Sequence, residues 1–198
     1  MSMLNLADIR YCTESEGPGQ RIAVWAQGCP RACPGCCNLE MQAFKPANIV
    51  ATNDLLETFE EVLVMHPNIE GITMVGGEPI LQASGMATIA EWMQNHGKSV
   101  LLFTGFRYEE LQQMAKGEKD IKHLLDHVDL LVDGPFLRES IDQERSWIGS
   151  TNQRVFRLSE FYPKGVEYLK PRRSMEIHID GGYAYFNGWP CDVSEGRK

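Results

Sequence analysis

Cys29, Cys33 and Cys36 form a Cys-x3-Cys-x2-Cys loop directly after the apolar run Arg21-Ile-Ala-Val-Trp-Ala-Gln27. A second apolar run, Ile69 to Val75, ends in Gly76-Gly77-Glu78-Pro79. Thiolates this closely spaced are soft ligands suited to an iron–sulfur cluster or to zinc. Three of them can hold three irons of a cubane 4Fe–4S cluster and leave the fourth iron open to a substrate. A structural zinc normally takes four protein ligands. Here the fourth would have to be Cys37, crowded by Cys36, or distant Cys191. The loop favours a cluster, with zinc left as the alternative.

Bulk properties narrow the class. A chain of 198 residues can bury a proper core without staples, and no internal repeat or linker divides it. One domain over 1–198 is expected, with a core of about 16–158 and an extension of about 159–198. The net charge of −8 argues against a general nucleic-acid binder, which needs a basic footprint. Lys170, Arg172 and Arg173, with Arg197 and Lys198, read as solvated surface. Met1 to Arg10 lacks the apolar centre of a secretory signal, and no run approaches the ~20 apolar residues that span a bilayer. Cys29, Cys33, Cys36 and Cys37 crowd one short stretch, which fits metal ligation in a reducing cytosol better than a disulfide scaffold.

Periodicity places the elements. Residues 21–27 predict a buried strand ended by Gly28. A helix is expected from Thr52 or Asn53, with Leu55, Leu56, Phe59, Val62 and Leu63 on one face and Pro67 as its stop. Ile69 to Val75 is the next strand, and Met86, Ile89, Ala90 and Met93 mark a second helix that Gly97 ends. Ser99 to Phe103 is a third strand opening into Thr104-Gly105-Phe106. Tyr108, Leu111, Met114 and Ala115 trace a short helix, and Ile121, Leu124 and Leu125 another. Val128 to Val132 is a fourth strand leading to Asp133-Gly134-Pro135-Phe136, and Arg154 to Leu158 a further one. Alternation from Ser174 to Phe186, around Gly181-Gly182, predicts a terminal hairpin.

Strands alternating with helices imply right-handed crossovers and a mainly parallel sheet. Each marked segment follows the C-terminal end of a strand: the cysteine loop, Gly-Gly-Glu-Pro, Thr-Gly-Phe and Asp-Gly-Pro-Phe. Parallel α/β sheets bind ligands at that edge. Gly76 and Gly77 lack β-carbons, so backbone there can approach a ligand closely. Taken alone, the same four residues read as a tight strand-to-helix turn with a solvated Glu78.

The chain resembles the radical S-adenosylmethionine proteins, and within them the small activating enzymes of anaerobic ribonucleotide reductase. The resemblance is carried by Gly17-Pro18-Gly19-Gln20-Arg21, by Cys29-Pro-Arg-Ala-Cys33-Pro-Gly-Cys36-Cys37-Asn38 and by Gly76-Gly77-Glu78-Pro79. Thr104-Gly105-Phe106 with Tyr108-Glu109-Glu110-Leu111, Val132-Asp133-Gly134-Pro135-Phe136 and Gly149-Ser150-Thr151-Asn152-Gln153-Arg154 extend it to Arg154. The resemblance implies an incomplete parallel (β/α) barrel, open on one side, with a C-terminal β-hairpin extension. It implies one 4Fe–4S cluster on Cys29, Cys33 and Cys36, with S-adenosylmethionine on the open iron. Gly35, Cys36 and Cys37 would line the adenosine end of that cofactor, and Gly76, Gly77 and Glu78 the methionine end. Glu78 would accept hydrogen bonds from its ammonium group. Thr104 and Asp133 would bond its ribose or carboxylate, or else serve as turn formers.

Two features depart from the pattern. The resembled activases follow their glycine and third cysteine with an aromatic residue, where this chain has Cys37, and they lack a tail like Phe161 to Lys198. By resemblance the activity is reductive cleavage of S-adenosylmethionine to a 5′-deoxyadenosyl radical. That radical would make a glycyl radical on a large partner enzyme, with reduced flavodoxin or a ferredoxin-type protein as electron donor. The rival expectations are a radical enzyme acting on a small molecule or peptide, an iron–sulfur electron carrier or sensor, and a zinc-stabilised module. Cys12 and Cys191 read as plain thiols, and His66, His96, His123 and His127 as surface. His178 reads as structural; Arg138, Arg145 and Arg154 as solvated charge; Trp147 and Trp189 as core or partner-facing.

Overall fold

The computed structural model describes residues 2–169, 175–180 and 183–188. Its centre is a seven-stranded sheet built on β1 (Met3–Thr13), β2 (Gln20–Ala26), β3 (Asn48–Ala51), β4 (Ile69–Gly76), β5 (Ser99–Phe103), β6 (Leu130–Asp133) and β7 (Arg154–Arg157). The spatial order is β3-β1-β2-β4-β5-β6-β7, and the sheet does not close on itself. β2, β4, β5 and β6 pair in parallel, as their order in sequence implies. The expectation of a mainly parallel sheet is corrected at the margins, where β1 pairs antiparallel with β2 and β3, and β7 with β6. The six residues between β1 and β2 can turn the chain back but cannot make the crossover a parallel pair needs.

Helix α1 (Thr52–Met65) follows the edge strand β3, α2 (Ala83–Asn95) follows β4, and α3 (Tyr108–Met114) and α4 (Lys119–Asp126) follow β5. They cover one face of the sheet because each presents an apolar stripe. Phe59 and Val62 of α1, Met86 and Met93 of α2, and Leu124 of α4 join Ile22, Val24, Ile72, Met74, Val100, Leu102 and Leu131 in one buried cluster. The pleat sends Leu101, Leu130 and Val132 to the opposite face, where Ile148, Tyr162 and Val166 from the segment around β7 cover them. The two layers differ: four helices lie on one side and irregular chain on the other.

α1 begins at Thr52 as expected, but its N-cap is Ala51, and no side chain caps it. Thr52 Oγ1 instead donates to the Ser2 carbonyl at 3.0 Å, tying the helix start to β1. β1 and β3 were not anticipated in the sequence; β1 buries Leu4 and Leu6 but then carries Asp8 and Arg10 through register shifts against β2. The terminal hairpin forms, as β8 (Met175–Asp180) and β9 (Tyr183–Gly188). It docks on β1: the Thr13 hydroxyl donates to Glu176 at 2.6 Å, and Asn187 Nδ2 donates to Thr13 Oγ1 at 2.8 Å. Lys170, Arg172, Arg173, Gly181, Gly182, Trp189, Cys191, Arg197, Lys198 and the His178 side chain lie outside the described residues. Among those described, no helix is long and apolar enough to cross a membrane.

Candidate functional site

The cysteine loop leaves the C-terminal end of β2 and folds back beneath it. Gly28 N–H donates to the Met41 carbonyl at 2.8 Å, and Cys29 N–H to that of Gln42 at 3.0 Å. Gln27 Nε2 reaches the Ala43 carbonyl at 2.6 Å, so both ends of the loop are pinned to β2. Gly28 and Gly35 hold φ of +97° and +71°, a left-handed conformation that glycine adopts without strain. Cys29, Cys33 and Cys36 are partly buried thiols without disulfide bridges, and Cys37 is exposed. Burial pushes the Cys29 thiol up, and the Glu78, Cys33 and Cys36 charges add to that push. No three cysteine sulfurs among the described residues fall within 4.8 Å of one another. A single zinc would draw them to about 3.8 Å, given Zn–S bonds near 2.3 Å in a tetrahedron.

The glycine pair has a steric origin within the protein. A β-carbon on Gly77 would lie 2.5 Å from the Gly28 carbonyl oxygen and 2.9 Å from that of Met41. One on Gly76, at φ +102°, would lie 2.7 Å from the Ala26 nitrogen. Gly77 N–H donates to the Ala26 carbonyl at 2.8 Å, and Glu78 N–H to that of Gly28 at 2.9 Å. Asn38 Nδ2 adds a bond to the Gly76 carbonyl at 3.2 Å. The two motifs are therefore one unit, with the turn after β4 packed backbone to backbone against the root of the cysteine loop.

Glu78 is fully buried, and its carboxylate is occupied. Oε1 accepts from the Thr104 hydroxyl at 2.9 Å and from Ile80 N–H at 3.2 Å; Oε2 accepts from Gly105 N–H at 2.9 Å. Its pKa is raised, because burial outweighs the opposing pull of those three donors and of the Arg31 charge. Glu78 thus joins the end of β4 to the end of β5. Asp133, also buried, turns away from this cluster of groups. It accepts from Tyr108 N–H at 2.7 Å, which holds the start of α3, and pairs with the Arg154 guanidinium. Arg154 in turn bonds Glu109 at 2.7 Å. Gln153 bonds Gly149 N–H, Ser150 N–H and the Gly134 carbonyl, while Asn152 bonds that of Pro135. The Gly149–Arg154 motif is a clamp on the loop after β6. Arg145, read as solvated, is instead paired with Asp142 at 2.7 Å.

These strand ends enclose a cleft of about 550 Å³ lined by Cys29, Cys33, Cys36, Cys37, Gly76, Gly77, Glu78 and Thr104. Of the residues singled out in the sequence, Gly35 and Asp133 are not among its walls. Arg31, Trp25, Phe103 and Trp147 are, as are Phe186, Asn187 and Gly188 of the hairpin. The Arg31 guanidinium sits 4.2 Å over the Phe106 ring. Arg31 Nε and Trp147 Nε1 are buried donors without a partner among the described residues. Buried donors rarely stay unpaired without a ligand, water or function to explain them. Arg31 stood inside the cysteine loop and could have been flagged there; Trp147, at φ +51°, carried no such signal.

The chain belongs to the 4Fe-4S single cluster domain family, whose profile matches residues 15–156. It is also similar to proteins named anaerobic ribonucleoside-triphosphate reductase-activating protein. That of Enterobacteria phage T4 is 25% identical over 157 residues, covering 77% of this chain and 94% of the phage protein. That of Haemophilus influenzae is 28% identical over 149 residues, covering 72% and 90%. That of Escherichia coli (strain K12) is 27% identical over 150 residues, covering 72% and 91%.

Proposed function

We propose that this chain is a radical S-adenosylmethionine enzyme that generates a glycyl radical on a large partner of the anaerobic ribonucleotide reductase type. The carrying observation is that Cys29, Cys33 and Cys36 open into one cleft with the Gly76-Gly77 turn, at the edge where the parallel strands end. The donor set fits a cluster: three soft thiols, spaced too widely for a single zinc, beside two buried N–H donors awaiting partners. When bound, the cluster supplies one electron to split the carbon–sulfur bond of S-adenosylmethionine.

In this reading Cys29, Cys33 and Cys36 hold three irons, Cys36 and Cys37 run along the adenosine end, and Gly35 makes the left-handed turn that leads into them. Backbone at Gly76 and Gly77 meets the methionine end. Glu78 acts chiefly by holding Thr104 and the turn after β5, since its oxygens already accept three bonds. Asp133 belongs to the scaffold rather than the ligand set, because Tyr108 and Arg154 occupy it. Trp25, Phe103 and Trp147 exclude water from the cleft. The open sheet reads as an incomplete barrel, whose missing side leaves room for a loop of the partner. The whole chain acts as one cytosolic unit, with core about 16–158 and extension about 159–198, and takes electrons from reduced flavodoxin or a ferredoxin-type protein.

One observation favours a second reading. Phe186, Asn187 and Gly188 of the extension wall the cleft, and the relatives match only 72–77% of this chain. A narrowed mouth suits a small molecule or a peptide. The test is anaerobic: cluster-loaded protein, reductant and S-adenosylmethionine, with 5′-deoxyadenosine quantified, then addition of a reductase-type partner. A glycyl doublet in the electron paramagnetic resonance spectrum supports the first reading. Deoxyadenosine without that doublet supports the second, and no cleavage by loaded, reduced protein overturns both.

A further inference from the structure

We infer that Glu91, His123 and His127 form a binding site for a divalent cation of the zinc type, at the edge of the sheet opposite the cysteine cleft. One ligand atom from each of the three lies within 4.8 Å of the others. Glu91 stands in the last turns of α2, and His123 in the last turn of α4 with His127 just beyond it. A spacing of four residues puts the two imidazoles on one helix face. Helices that follow parallel strands run back toward the strand N-termini, so this site is far from the cysteine loop. None of the three residues lines the cysteine cleft.

The hydrogen bonding already selects the coordinating form. His127 Nδ1 lies 2.9 Å from the His123 carbonyl oxygen, and a carbonyl can only accept, so Nδ1 carries the proton. Nε2 of His127 is left with its lone pair, the usual way a protein fixes the tautomer of a metal-binding histidine. His123 Nε2 faces Glu91 Oε2 at 3.3 Å. Two ligands about 2.1 Å from a tetrahedral ion stand about 3.4 Å apart, so this pair is already close to coordinating separation. Two imidazoles and one carboxylate suit zinc and its neighbours over magnesium or calcium, which prefer all-oxygen shells. The His123 and Glu91 side chains are 43% and 48% exposed, so water can enter to complete the fourth position. Bound there, the ion would pin α4 to α2 on the helical layer. The competing account is a simple imidazolium–carboxylate pair with no metal.

The experiment uses the full chain with its cluster loaded anaerobically, titrated with Zn2+ against a chromophoric chelator and separately with Co2+. The expected result is one cation per chain beyond the iron, with cobalt d–d bands of nitrogen and oxygen ligation and no thiolate charge-transfer band. His123→Gln and His127→Gln should each weaken zinc binding about tenfold or more, the scale seen when a site loses an orienting group. Glu91→Gln, on an exposed helix position, gives the same readout should either histidine variant misfold. Unchanged zinc affinity in all three variants, or a cobalt spectrum dominated by thiolate, overturns the assignment. Neither outcome bears on S-adenosylmethionine cleavage, so the site stands or falls apart from the proposed activity.

Discussion

The Tyr162 hydroxyl accepts a hydrogen bond from Arg21 Nη1 at 2.8 Å, joining the segment after β7 to the start of β2 on the face of the sheet away from the helices. Arg21 is fully buried, yet its donors are placed on neutral oxygens. Nε reaches Thr73 Oγ1 at 2.8 Å, Nη1 reaches the Pro18 carbonyl at 3.0 Å, and Nη2 reaches that of Ile72 at 2.6 Å. Ser99 Oγ bridges the pair, 3.1 Å from Nη1 and 2.7 Å from the Tyr162 oxygen. Burial pushes Tyr162 up to about 12, against the pull of the Arg21 charge, and burial lowers Arg21. Three parallel strands are thereby tied together by one guanidinium.

Removing the Tyr162 hydroxyl takes from Arg21 Nη1 the nearest of its three acceptors and takes a partner from Ser99 Oγ. Tyr162→Phe should lower stability by about 1.5–3 kcal/mol in urea unfolding, the usual worth of a hydrogen bond to a charged group. Arg21→Met should cost more than Tyr162→Phe, because Thr73 and Ser99 lose their shared partner as well. Equal midpoints for Tyr162→Phe and wild type would show that the network is dispensable.

The hairpin contact carries a pH dependence. Glu16 accepts from Gly188 N–H at 3.1 Å, and burial raises its pKa from 4.5 to about 7, with Glu176 adding to the rise. Between those values the folded form keeps a proton that the unfolded chain has released. Stability from this group is therefore full below pH 4.5 and declines as pH climbs toward about 7. Glu16→Gln should flatten that decline in thermal melts taken across the interval. A wild-type slope retained by the variant would assign it to other groups.

A β-carbon at Gly77 would lie 2.5 Å from the Gly28 carbonyl oxygen, which leaves no space for a methyl. Gly77→Ala should destabilise by about 1–3 kcal/mol, as overpacking does, and displace the root of the cysteine loop. Iron and acid-labile sulfide per chain should fall together with stability. Full cluster content in a normally folded Gly77→Ala protein would separate the turn from the loop.

Thr104 and Glu78 meet through a single hydroxyl. Thr104→Val should remove about 1–3 kcal/mol by depriving a buried carboxylate of a donor, whereas Thr104→Ser should restore it. Equilibrium dialysis with S-adenosylmethionine on cluster-loaded protein should show weaker binding for the valine variant and near wild-type binding for the serine one. Equal binding by all three would place Thr104 outside the ligand environment.

Cys33→Ala should abolish cluster loading, whereas Cys12→Ala should leave iron content intact, because Cys12 lies exposed on β1 outside the cleft walls. Iron content in the Cys33 variant equal to that of wild type would refute the ligand assignment.

The four parallel strands, the four helices and the hairpin were legible because each carries a local pattern. Continuous apolar runs such as Ser99 to Phe103 mark strands buried on both faces, and the 3.6-residue stripe of Leu55, Phe59 and Val62 marks a half-buried helix. β1 was not legible: after Leu6 its residues are only partly buried or exposed as far as Cys12, its register against β2 shifts twice, and only pairing with β2 and β3 makes it a strand. The cysteine spacing alone pointed to a soft metal centre, because ligand chemistry follows from residue type and proximity along the chain.

The tertiary structure decided which polar groups face the cleft and which serve the scaffold. Asp133 and Thr104 both follow strand ends and look alike in the sequence, yet Asp133 turns to Arg154 while Thr104 turns to Glu78. The gathering of Glu91 with two histidines has the same origin, since α2 and α4 meet only once the sheet between their strands has formed. Patterns repeating over a few residues act through local backbone geometry and are visible in one dimension. Partnerships between residues dozens of positions apart depend on how the layers pack, and packing exists only in the folded chain.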